Sequence, residues 1–137
     1  MNRCHFVMSL FAALVFSGPT MAQDFPHRPI MFVVPFGPAA GADMIARSLA
    51  QGMSSQIGQT PLVENKPGGN AIIGAQTVLK APANGYTVFI SSNSPVIFNR
   101  FMFKNIPYDS IKDFTPGAAF CKVSIVLTVN GKSPFDN

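Results

Sequence analysis

An α/β fold whose parallel-rich sheet is flanked by helices follows from three features of this 137-residue sequence. Ile30 to Val34 is a continuous apolar run, the pattern of a strand buried on both faces. Segments of helical and of strand period alternate after it. The connections between them suit βαβ units, which cross over with a right hand and place helices on the faces of a parallel sheet.

The elements follow in order. Residues 1–22, "MNRCHFVMSLFAALVFSGPTMA", carry Arg3 as their one charge, then an apolar stretch and small residues up to Ala22. That is the pattern of a secretory signal peptide cut after Ala22, and its apolar run is far shorter than the roughly twenty residues a membrane span needs. Pro29 opens and Pro35 closes the first strand. A helix is expected over Gly41 to Ile57, with Ile45, Leu49 and Met53 forming the stripe that packs on the sheet and Gly58 as the residue that ends it. Thr60 to Asn65 reads as a second strand, and "KPGGN" as a sharp turn. Ala71 to Ala81 is a second helix with Ile72, Ala75 and Leu79 on one side. Asn84-Gly85 tips a turn into a third strand, Tyr86 to Ser92. A third helix is expected from about Ser94 to Phe103, then a Pro-interrupted connector, and Lys122 to Asn130 alternates like a last strand.

Composition narrows the partners. Charged residues make up 12% and hydrophobic ones 47%, which is the balance of a folded domain. Ten Lys and Arg against six Asp and Glu give a net charge of +4. The cations are scattered, so nucleic acid is not an expected partner, while a mild positive field suits anionic small molecules. Cys4 leaves with the signal peptide, and Cys121 alone forms no intrachain disulfide.

In open parallel sheets, small ligands sit outside the carboxyl ends of the strands. Two loops therefore matter: Pro35 to Asp43 after the first strand and Ser91 to Ser94 after the third. If these strands are neighbours, both loops open into one crevice. Gly37, Pro38, Ala39, Ala40 and Gly41 are small or compact and lead into a helix, whose first N–H groups suit an anion. Ser91, Ser92, Asn93 and Ser94 offer hydroxyl and amide donors; the same residues can instead cap the third helix. Asp43 can serve the helix dipole from the first turn or touch a ligand. Phe36 can wall a pocket or pack inward.

No G-x-G-x-x-G, P-loop or G-x-S-x-G is present, the His and Cys residues lack metal-ligand spacing, and no His stands near a Ser or Cys in a triad-like pattern. Binding without chemistry is the expectation: no catalytic residues, no metal and no cofactor.

The stretch from Arg28 to Ile90, with "FNRFMFKNIPYDSIKDFTP" after it, resembles the tripartite tricarboxylate transporter substrate-binding proteins, the TctC or Bug receptors. "VVPF" with Asp43 seven residues after Phe36, "VENKPG", "NGYT" and "PYDSIKDF" carry the resemblance in order. It implies a type II periplasmic-binding-protein fold of two α/β lobes, closing on a small di- or tricarboxylate or related organic acid and delivering it to membrane permease subunits. It further implies that Phe36, Gly37, Pro38, Ala39, Ala40, Asp43 and Ser91 to Ser94 hold a ligand carboxylate, in a periplasmic monomer.

This chain departs from the pattern in places. The family has a Gly-Gly pair at Ala39-Ala40, a Ser or Thr at Ala42, and glycines where Ser91 and Ser94 stand. If those glycines use positive φ, Ala39 or Ala40 is strained, and Ala42 lacks a donor. Family members are about twice as long or more, so residues 23–137 correspond to a partial first lobe ending near the inter-lobe crossover, without the second lobe, and weak binding is expected. An exported interaction or sensing module and a non-functional truncated receptor are the alternatives.

Overall fold

A computed structural model describes residues 25–122 and Thr128. At its centre is β1 (Met31–Val34), flanked in parallel by β2 (Leu62–Asn65) and β3 (Thr87–Phe89), in the order β2-β1-β3. Phe32 stands level with Val63 on one side and Val88 on the other. β1 alternates between two covered faces, which is why every position from Phe32 to Val34 is apolar and buried. Ile30, Phe32 and Val34 join Ala46, Ala50, Tyr86 and Ile90 in one core. Of these, the Ile, Phe and Val side chains contribute about 1.5–3 kcal/mol each when fully buried.

Helix α1 (Gly41–Ile57) links β1 to β2, and α2 (Ile72–Leu79) links β2 to β3. Because β2 and β3 lie on opposite sides of β1, two right-handed crossovers place the helices on opposite faces. α1 ends at Gly58, whose φ of 66° is the left-handed conformation expected of it. Its buried face differs from the expected stripe. Asp43, Ala46 and Ala50 are the buried residues; Leu49 and Met53 flank that core half-buried, and Ile45 lies outside it. Small side chains in the middle let the helix approach the sheet, and the larger ones close the sides.

α2 packs by close approach. A Cβ at Gly74 would stand 2.7 Å from the Pro35 Cβ and 3.2 Å from the Lys66 carbonyl oxygen. The turn before α2 has positive φ at Gly68, Gly69, Asn70 and Ala71. At the amino end of the sheet, Tyr86 gathers the entering chain: its hydroxyl accepts the His27 N–H at 3.0 Å, and the Arg28 guanidinium lies 4.2 Å from its ring centre.

The expected third helix is present, as a π-helical turn (Ser94–Phe98) that runs on into a single α-helical turn, α3 (Asn99–Met102). The Tyr108 hydroxyl donates to the Pro95 carbonyl at 2.8 Å, and the Asn99 N–H bonds the Ser94 carbonyl, so the first turn is widened. The paired strands are shorter than their apolar runs. The signal peptide and, apart from Lys122 and Thr128, the last expected strand lie outside the described residues.

Candidate functional site

The parallel pairing of β1 with β3 brings the two singled-out loops out at the same end of the sheet. Val33 is level with Phe89, and the Ile90 N–H continues the ladder onto the Val33 carbonyl at 3.0 Å. The chain therefore leaves the sheet at Pro35 and Ser91 side by side. β2 ends at the same level, with Asn65 opposite Val34.

The first loop is held from within. Phe36 packs half-buried against the core, and its carbonyl accepts an N–H of the Asn65 side chain at 3.0 Å. Gly37 and Ala40 close a turn, with the Ala40 N–H on the Gly37 carbonyl at 3.2 Å. Pro38 and Ala39 are exposed at its tip. Ala39 has a φ of 65°, the left-handed region that favours glycine, whereas Ala40 has an ordinary φ of −66°. The strain foreseen for this pair thus falls on Ala39 alone. Leaving Ala39 in that shape points its N–H at the Asp43 Oδ2, 2.9 Å away.

Asp43 is 2% exposed and both carboxylate oxygens are occupied by the chain. Oδ2 accepts from Ala39 and from the Arg47 Nε at 3.0 Å, and Oδ1 accepts from the Asn65 Nδ2 at 2.9 Å. Arg47 also donates to the Asn65 Oδ1 at 3.2 Å. The Arg47 hydrogen bond, then those from Asn65 and Ala39, hold its carboxyl down at about 2 against the opposing effect of burial. Asp43 is therefore turned into the loop's own scaffold, reaching back from the third helical position past the cap residue to Ala39, one residue beyond the bond a capping box makes.

The N–H groups of Ala39 and Ala40 are engaged inside the loop. Ala40, at the cap position of α1, has no side-chain acceptor, and among the described residues the N–H groups of Gly41, Ala42 and Asp43 find no partner. These three are the donors the helix start holds out, in a region of fractional positive charge.

On the second loop the Ser91 hydroxyl oxygen is buried without a hydrogen-bond partner among the described residues. Ser92 is exposed and its hydroxyl accepts the Ser94 N–H at 3.3 Å, a local turn. Asn93 is exposed and makes no side-chain cap bond, and Ser94 begins the π-helical turn. Behind them stands a network the sequence reading did not single out. Asn99, fully buried, donates to the Asn70 carbonyl at 2.9 Å and accepts from the Asn70 side chain at 2.6 Å, while Tyr108 bonds Pro95. It ties the third loop, Lys66 to Ala71, to the turn that follows Ser91. Arg47 was readable as an i, i+4 partner of Asp43; Asn65 needed the sheet order. An open apolar groove of about 570 Å³, lined by Leu49, Met53 and Phe120 among others, runs along α1 and includes none of these loop residues.

The comparisons with known proteins agree with this architecture. The family model "Tripartite tricarboxylate transporter family receptor" matches residues 45–137. A protein of the tcbD-tcbE intergenic region of Pseudomonas sp. strain P51 is 39% identical over 94% of this chain and 39% of its own length. Protein BugT of Bordetella pertussis is 34% identical over 100% of the chain and 43% of its own length. The chain thus spans about two fifths of the length of the curated relatives it matches. MatC from Rhodopseudomonas palustris, solved with bound malate, superposes with a TM-score of 0.64 at 30% identity, over 67% of this chain and 31% of MatC. An R. palustris protein solved with adipate gives 0.61 at 36% identity, over 64% and 29%. With its parallel α/β sheet and a family match over most of its length, the chain belongs to the tripartite tricarboxylate transporter receptor family, a family of substrate-binding receptors.

Proposed function

We propose that this chain is the carboxylate-binding part of a periplasmic solute receptor, exported by the signal peptide at residues 1–22 and handing a small organic acid to the permease subunits of a tripartite transporter. It does no chemistry on its ligand. The observation that carries the reading is the unpartnered Ser91 hydroxyl, buried just past β3 at the same end of the sheet as the start of α1, whose first N–H groups find no partner among the described residues. A buried hydroxyl without a partner is uncommon in folded proteins, and a carboxylate lying between it and Gly41, Ala42 and Asp43 would satisfy all four donors. The malate and adipate in the solved relatives are of this chemical class.

The small residues of the first loop serve by leaving the main chain accessible. Ser92 and Asn93 are exposed, which leaves their side chains free to meet the remainder of the ligand on this reading. For a site built from these two loops alone, binding is expected in the range of about 0.1–10 mM, near −4 kcal/mol at its centre. Titration of the mature chain with malate and with adipate, followed by ¹⁵N amide shifts, tests this. Saturable shifts at Gly41, Ala42 and Asp43 are expected. Shifts confined to surface lysines, or none, would overturn the reading.

A further inference from the structure

Asp43 poses an electrostatic problem for any anion at the start of α1. Its own carboxylate belongs to the same helical turn as the Gly41, Ala42 and Asp43 N–H groups. It is buried at 2% exposure, where its field is less screened than in water. A ligand carboxylate seated on those donors would meet a like charge close by. Among the described residues the cation paired with it is Arg47, whose Nε lies 3.0 Å from Oδ2 and which also reaches Asn65 at 3.2 Å. Asn65 is neutral and bridges the Asp43 carboxylate to the Phe36 carbonyl. Among the described residues the other nearby cation is Lys66, which is paired with Glu64.

We propose that Arg47 is a positioning and specificity-determining residue for anion capture: by neutralising Asp43 within the Asp43–Arg47–Asn65 clamp, it allows a carboxylate rather than a neutral group to occupy the helix start. This rests on the carboxylate-binding reading above. Arg47 does not touch the ligand. Its guanidinium faces the clamp from the next turn of α1, half-exposed, with the Asp43 carboxylate on one side and the Asn65 amide on the other. The clamp has two separable effects. Asn65 and Asp43 fix the shape of the loop through Phe36 and Ala39, whereas Arg47, which bonds both, supplies the clamp's positive charge.

The test compares the unaltered chain with Arg47→Gln and Arg47→Lys, using malate and its uncharged diamide as probes. Arg47→Gln keeps a donor for Asp43 but removes the charge; affinity for malate is expected to fall about tenfold, the scale of one uncompensated charge at short range in a partly screened site. Affinity for the diamide is expected to stay within twofold, Arg47→Lys to recover most of the malate binding, and a carboxyl titration by NMR to show the Asp43 pKa rising in Arg47→Gln. A loss shared equally by malate and diamide would show a purely structural role and overturn the inference. So would unchanged malate affinity in Arg47→Gln. If the unaltered chain binds no malate at the α1 start, the carboxylate reading itself falls and takes this inference with it.

Discussion

Ala39 is the position where one atom's worth of side chain can be weighed most cleanly. It is exposed, so neither a cavity nor a packing contact enters, and its φ of 65° is held by the Ala39 N–H on Asp43. An L-residue with a Cβ in the left-handed region costs roughly 1–2 kcal/mol. Glycine removes that cost but loses about 0.5–1 kcal/mol more backbone entropy on folding. Ala39→Gly should therefore stabilise the chain by about 0.5–1 kcal/mol, a rise of roughly 2–6 °C in Tm for a domain of this size. Ala39→Val, β-branched at the same φ, should move Tm the other way by at least as much. Thermal unfolding followed by circular dichroism, with urea midpoints as a check on two-state behaviour, reads both. If Ala39→Gly lowers Tm while Ala39→Val leaves it unchanged, the left-handed loop shape does not exist in solution, and the donor geometry built on it falls too.

Three further outcomes follow from the same geometry. Ala40→Ser supplies the side-chain cap that α1 lacks, so stability should rise by about 1 kcal/mol while malate affinity drops, because the new hydroxyl takes an N–H the ligand needs; paired melting and titration read both. Gly74→Ala forces a Cβ to 2.7 Å from Pro35 and should cost about 1–3 kcal/mol in urea unfolding, with no cost if α2 packs more loosely than described. Asp43 has its pKa lowered from 3.8 to about 2, so its contribution to stability is complete above the ordinary value and is lost as pH falls through about 2. Acid titration of the urea midpoint should show that decline, and Asp43→Asn should show a flatter one.

Much of the fold was legible because local and global signals agreed. α1 begins after a loop of small residues and ends at a glycine, and both ends stand where the sequence placed them. β1 was recognisable as a doubly covered strand from its unbroken apolar run. What escaped was decided by distance between elements. Ile45, Leu49 and Met53 looked like the packing stripe because they are large. Close approach of a helix to a sheet instead selects Ala46 and Ala50 for the centre. The third helix stands where its period placed it, from Ser94 to Met102, but the π-helical form of its first turn, beside the Tyr108 hydroxyl on the Pro95 carbonyl, is a detail that the helical period alone does not show.

The site divides along the same line. The sheet rule located both loops, but which donors they offer depends on bonds closed inside them. Ala39 and Ala40 use their N–H groups on Asp43 and Gly37, and the donors without a partner among the described residues are those of Gly41, Ala42 and Asp43, the first of the helix. α1, the longest helix described, starts without a side-chain cap, although a Ser, Thr, Asn or Asp at Ala40 would stabilise it by about 1 kcal/mol. Its one acidic residue in the first turn is turned back on the loop and neutralised by Arg47. An uncapped start and a buried serine hydroxyl without a partner each cost stability when considered separately. They share one end of one sheet, and a bound carboxylate would offset both at once. Stability and affinity should consequently trade against each other at this loop, so a substitution that satisfies the helix start from within should weaken capture.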